Sequence, residues 1–125
     1  MKMCLWKTLA GAWTTSWRMH ESHKFGCLFG CKEEHDDIRH YLVCAPLWHL
    51  TGEVLGSPPP VSLAERMCID KPSVQGVLRL AVVFQAYHYT KSLVSGDSRQ
   101  VNVQDTCALQ RAAFESSRTF LCHLS

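Results

Sequence analysis

The sequence has no run of about 18 apolar residues, the length a membrane-spanning helix needs. Its closest stretch, Val74–Val94, is broken by Arg79, Gln85, His88 and Lys91. No membrane span is expected. Net charge is small: 13 Lys and Arg against 11 Asp and Glu give +2. That excludes a strongly basic, histone-like binder and an acidic tail, so any nucleic-acid surface has to be local. A secretory leader is not expected either. Lys7 interrupts the short apolar start Met3-Cys4-Leu5-Trp6, which leaves residues 1–16 without an apolar core segment. An intracellular location, nuclear or cytoplasmic, follows as the expectation. The second half lacks alternating strand patterns. No phosphate-cradling glycine loop occurs, and no His-x-Glu…Pro-Cys-x-x-Cys deaminase pattern.

Cysteine, by contrast, is plentiful. Seven in 125 residues is a high and odd count. In a reducing compartment such a count points to metal ligation or plain burial rather than to a disulfide framework. The chain is 46% hydrophobic and 19% charged, enough for one domain with a modest core. A domain near this size buries about two-thirds of its unfolded surface, so a covalent or metal staple would help it.

Periodicity places the elements. Leu5, Trp6, Leu9, Ala10, Trp13 and Trp17 recur at three- and four-residue spacing, which predicts a helix over 5–17 within a Trp-rich lead-in, residues 1–22. Residues 24–32 are aromatic and punctuated by glycine, as in a tight hairpin or knuckle. Glu33, Glu34, Asp36 and Asp37 then precede a helical pattern of Ile38, Tyr41, Leu42, Ala45, Leu47 and Trp48. The carboxylates suit the positive end of a helix dipole. Pro46 is expected to kink or end that helix near Cys44 or Ala45. The knuckle region spans residues 23–52. Residues 53–60, with Gly56-Ser57-Pro58-Pro59-Pro60, read as a linker. Residues 61–125 read as helical: a short helix over Ser62–Asp70, a long one from about Ser73 to Val94 ended by Ser95-Gly96-Asp97, and a last one from about Val103 to Leu121. The fold class expected is mainly α, with a small metal-stapled knuckle between helices and a helical C-terminal half.

The set Cys27-x3-Cys31-x8-His40-x3-Cys44 carries the chemistry. Two thiolates sit close together on a turn. His40 and Cys44 follow at i and i+4, which places them on one side of a helix. Three cysteines and one histidine satisfy tetrahedral Zn2+, and four protein ligands leave no open position, so the site is structural rather than catalytic. Gly26 and Gly30 each precede a cysteine, where glycine lets the backbone turn tightly around a thiolate. The same cysteines also read as small buried hydrophobes, the reading given to Cys4, Cys68, Cys107 and Cys122. His35, at Cys31-x3-His35, is a rival fourth ligand.

His20-Glu21-Ser22-His23 lacks the i, i+4 histidine spacing of a metalloprotease helix and reads as a polar turn. No local signature supports a thiol enzyme. Arg18, Lys24, Lys32 and Arg39 surround the knuckle, with Phe25 and Phe29 between them. Cations reach phosphates and an exposed aromatic ring can stack an unpaired base. Alternatively, the two rings cover the metal site and the charges solvate it. Glu33, Glu34, Asp36 and Asp37 cancel the four basic residues locally.

The stretch from Trp6 to Leu50 resembles the zinc-binding region at the C-terminal end of non-LTR retrotransposon reverse transcriptases. The residues that carry the resemblance are Trp6-Lys7-Thr8-Leu9, Thr15-Ser16-Trp17-Arg18-Met19, Cys27-Leu28-Phe29-Gly30-Cys31, the acidic pairs Glu33-Glu34 and Asp36-Asp37, His40-Tyr41-Leu42-Val43-Cys44 and Leu47-Trp48. In that family a Cys-x-x-Cys-like turn and a His–Cys gap of four are commoner; here both gaps are three. Residues 61–125 carry no motif of the family. The resemblance implies a structural zinc module of a retroelement protein, with RNA or single-stranded DNA and the rest of a polyprotein as partners. Polymerase, endonuclease and ribonuclease H signatures are missing from the sequence: Asp36-Asp37 sits between Cys31 and His40, not on a strand scaffold that could hold two Mg2+ ions. No enzymatic activity is expected. The alternatives are a helical protein-interaction module shaped by zinc, and a retroelement fragment without function.

Overall fold

In a computed structural model, residues 2–9, 11–16, 18–21, 24–94 and 105–124 are described. Among them the chain forms helices α1 (Lys2–Leu9), α2 (Ile38–Tyr41), α3 (Ala45–Leu55), α4 (Leu63–Arg66), α5 (Val74–Val94) and α6 (Thr106–Leu124). The architecture is mainly helical, with a Cys/His cluster between helices. Five features of the sequence reading, Ala10, Trp17, Ser22-His23, Ser95-Gly96-Asp97 and the start near Val103, lie outside the described residues.

α5 is the hub, since α1, α3, α4 and α6 all pack against it. From Leu80 onward it is buried on most sides, through Leu80–Val83, Ala86, Tyr87, Thr90, Lys91, Leu93 and Val94. A helix that is apolar all round belongs in a core. The start of α5 lies outside the core, and Val74 is exposed. One continuous core joins residues from both sides of Gly56–Pro60: Trp13, Phe25, Phe29, Tyr41, Leu47 and Trp48 meet Leu80, Tyr87, Leu109 and Ala113. The Pro-rich stretch is itself tied down. Arg79 donates to the Ser57 backbone carbonyl, and Arg66 to that of Pro60.

The lead-in helix is shorter than its periodicity predicts. α1 stops at Leu9, and Gly11 adopts φ +65°, a left-handed conformation that ends helices at little cost for glycine. The chain then runs without regular secondary structure through 12–15, and Trp13 is fully buried by leaving the helix. Its ring stacks on Tyr87 at 5.1 Å, and its Nε1 donates to Thr8 Oγ1 at 2.9 Å. Trp6 does not share that face: it is 71% exposed.

The second expected helix is also divided. α2 ends at Tyr41, and a turn through Leu42 and Val43 leads to Cys44, which caps α3 in an extended conformation (φ −68°, ψ 106°). Pro46 sits in the first turn of α3, where a missing N–H costs nothing, so it begins a helix as well as preventing continuation of the previous one.

Candidate metal centre

Residues 25–36 fold back as a hairpin closed by an antiparallel bridge between Gly26 and His35. Cys27 N–H donates to Glu34 O at 3.0 Å, and Asp36 N–H to Phe25 O at 3.0 Å. At its tip Gly30 takes φ +97°, which L side chains rarely adopt, and so delivers Cys31 back toward Cys27. His40 arrives from α2 and Cys44 from the cap of α3. The expected shared helix face is thus replaced by a turn, held by Val43 N–H to His40 O at 2.9 Å.

Cys27, Cys31, His40 and Cys44 converge. One ligand atom from each lies within 4.8 Å of all the others, and the four are positioned to hold a metal ion. The Sγ of Cys44 lies 3.8 Å from those of both Cys27 and Cys31. None of the seven cysteines forms a disulfide. His35 is exposed and lies outside the cluster, on the hairpin bridge.

The imidazole of His40 divides its two nitrogens. Nδ1 lies 3.5 Å from Glu34 Oε2, while Nε2 is buried without a hydrogen-bond partner. A buried ring nitrogen left unpaired is costly. A metal-ligating histidine commonly pairs its second nitrogen with a carboxylate, which fixes the tautomer. Glu34 fills that position, a role the sequence reading missed by treating it as a helix-dipole charge. The other carboxylates have separate partners: Asp37 pairs with Arg39 at 2.9 Å, and Asp36 turns into the core.

The three sulfurs influence one another. Hydrogen bonding from Cys44 holds the Cys27 thiol down at about 5, with help from the N–H groups of Phe29 and Cys31 and against the effect of burial. Phe29 N–H reaches Cys27 Sγ at 3.4 Å. Cys44 is raised, first by donating to Cys27 and then by burial. Burial and the neighbouring Cys27 charge raise Cys31. One thiolate is therefore prepared at neutral pH, and a metal would displace protons from the other two.

The surroundings fasten this cluster to the helical body. Tyr41 O–H accepts from Leu28 N–H and donates to Asp36 Oδ1 at 2.7 Å. Fully buried Asp36 also accepts from Ser16 N–H, Tyr87 O–H and Lys91 Nζ. Gln110 of α6 donates to Phe29 O at 2.7 Å, and Arg66 to Leu42 O at 3.0 Å.

Of the residues considered for nucleic acid, Arg18, Lys24, Lys32 and Arg39 are exposed. Phe25 and Phe29 are buried core members and offer no free ring face. Both belong to the core against which Cys27 and Cys31 pack. Among the described residues, no helix is long and apolar enough to cross a membrane. Compared with protein-family models, curated proteins and solved structures, the chain matches none.

Proposed function

We propose that Cys27, Cys31, His40 and Cys44 hold a structural Zn2+, and that the chain is a non-catalytic accessory module of a reverse-transcriptase-like retroelement protein that contacts RNA or single-stranded DNA. The observation that carries the zinc reading is the convergence of three sulfurs and a His40 ring nitrogen, in a histidine whose Nε2 is buried and without a hydrogen-bond partner. The sulfur spacing supports it. Tetrahedral ligands at a Zn–S distance of about 2.3 Å are separated by about 3.8 Å, and both measured separations are 3.8 Å. Four protein ligands fill a tetrahedral shell and leave no position for substrate. The retroelement reading rests on the motif order from Trp6 to Leu50.

Elemental analysis of the purified chain beside His40→Ala and Cys44→Ala tests the site. The expected result is about one zinc per chain, lost in both variants. A folded chain without zinc overturns the reading. Binding to RNA at rising salt tests the second part, because phosphate contacts weaken steeply as counterions are added.

A second reading, a protein-interaction module shaped by zinc, is favoured by the exposed apolar side chains of Val61, Ile69 and Val74. Salt-insensitive or undetectable RNA binding by the zinc-loaded chain would select it.

A further inference from the structure

Charge along the chain is segregated. Residues 1–32 carry five basic side chains and one acidic one, whereas residues 33–70 carry seven acidic and two basic. The fold keeps the basic segment together. α1 packs on α5, with Lys7 Nζ 5.8 Å from the Phe84 ring. One helical turn on, Thr14 N–H donates to His88 Nε2 at 3.3 Å. Further along, Lys91 meets Thr14 O and Glu21. The N-terminal segment is therefore laid along α5 from Phe84 to Lys91, about 10 Å of helix.

Neither α1 nor α5 contains an acidic residue. Glu21, the single acid of residues 1–32, is engaged by Lys91 at 3.1 Å. Lys7, Arg18 and Lys24 stand exposed on this segment. Beside Lys7 stands Trp6, 71% exposed, while Trp13 and Trp48 are buried.

Resting on the nucleic-acid part of the function proposed above, we infer that this N-terminal face, rather than the knuckle, is the contact for single-stranded nucleic acid: Lys7 and Arg18 meet the phosphates and Trp6 stacks an unpaired base. The cations supply the complementary charge. Trp6 supplies the platform that Phe25 and Phe29, being buried, do not. A lipid surface fits less well. An interfacial helix needs an apolar stripe; on α1, Trp6 is exposed, whereas Cys4 and Leu5 are half-buried.

The test is fluorescence anisotropy of the metal-loaded chain with a labelled oligouridylate of about 10 nucleotides, beside heparin and anionic phosphatidylserine vesicles. Trp6→Ala should weaken oligonucleotide binding about tenfold or more and Trp6→Phe far less. Heparin binding should be unchanged in both variants, since heparin has charge and no bases. Lys7→Gln and Arg18→Gln should each lower the salt slope by about 0.7. Trp6 is exposed, so metal content and melting should stay as in the parent chain.

Parent-like oligonucleotide binding by Trp6→Ala overturns the inference. If Lys32→Gln and Arg39→Gln weaken binding while Trp6→Ala does not, the knuckle is the contact; the inference falls and the proposed function stands. Loss of vesicle binding in Trp6→Ala, with the oligonucleotide unaffected, identifies a lipid surface instead. If no oligonucleotide binds at all, this inference and the nucleic-acid part of the function fall together, while the zinc count still decides the metal site on its own.

Discussion

Replacing Asp36 by asparagine changes one charge at a site with no access to water. Oδ1 accepts from two phenols, Tyr41 and Tyr87, both at 2.7 Å. Oδ2 accepts from Ser16 N–H at 2.8 Å and Lys91 Nζ at 3.2 Å. An asparagine can preserve only part of the pattern, since the two phenol hydrogens lose their acceptor. Its oxygen faces Ser16 and Lys91, which only donate, and its NH2 faces the hydroxyls, which can turn and accept. The charge is still lost, and the Lys91 side chain, 5% exposed, loses one of the two carboxylates it meets, Glu21 remaining. Loss of a charge-assisted bond costs about 2–3 kcal/mol. Asp36→Ala removes all four acceptor contacts and should cost about 3–5 kcal/mol, as breaking a buried pair does. Lys91→Met should fall in the same range of about 3–5 kcal/mol. In the double variant Asp36→Asn with Lys91→Met, the two losses should not add, with a coupling of about 1–3 kcal/mol. Urea unfolding of metal-loaded protein measures each value. A cost below about 1 kcal/mol for Asp36→Ala, or additive losses in the cycle, would refute the claim that this carboxylate joins the knuckle to α5.

Metal removal, pH and the carboxylate behind His40 give further expectations. A strong chelator should abolish the near-native far-UV circular dichroism and cooperative melting together, because metal-binding free energy is folding free energy in such sites. A chelated chain that keeps its melting transition would contradict this. Glu34→Gln should weaken metal binding about 10–100-fold in competition with a chromophoric chelator, while Glu33→Gln, exposed and outside the cluster, should leave it unchanged. His88 is held below its ordinary 6.5, first by burial and then by Lys7 and Lys91, against the pull of the Phe84 carbonyl and Asp36. Its Nε2 accepts from Thr14 N–H, a bond that protonation breaks. The unfolded chain takes up the proton at a higher pH than the folded one. Its contribution to stability is therefore full above 6.5 and lost as pH falls toward the depressed folded value. Chemical unfolding of His88→Gln across that window should show a flatter pH profile than the parent chain; an unchanged slope would count against the assignment.

The Cys/His cluster was legible because Cys and His at short spacing have few other uses at such density, and α5 was legible because its apolar run is long. The knuckle's anchoring was not. Asp36 and Asp37 are identical neighbours in sequence, yet one is fully buried and the other pairs with Arg39. What separates them are partners 51 and 55 residues away, Tyr87 and Lys91. A signal did exist: Tyr87 and Lys91 lie at i, i+4 on a helix whose neighbours are apolar, and a lysine on a buried face requires an anion. The division of the 38–48 helix was hidden for a different reason. Pro46 is as compatible with starting a helix as with stopping one, and periodicity does not distinguish them. The helix over 5–17 failed at Gly11, whose positive φ outweighed a consistent apolar spacing.

Short elements explain why a bound metal would add to the buried ion pair. The hairpin is closed by a single bridge, and α2 and α4 have four residues each. Pieces this small do not hold a conformation alone. Each is fastened to something larger. Lys91 and Tyr87 of α5 hold Asp36, and Gln110 of α6 holds Phe29 O. Arg66 spans from α4 to Leu42 O and Pro60 O while lying 4.8 Å over the Trp48 ring. The four ligands close the remaining gap between hairpin and α3. Asp36 lies between Cys31 and His40, so with a metal bound the loop that bears it would be fixed at both ends by the cluster, as it is in the middle by α5. Loss of either constraint should release the other, which is why the Asp36 cycle and metal removal are two measurements of one joint.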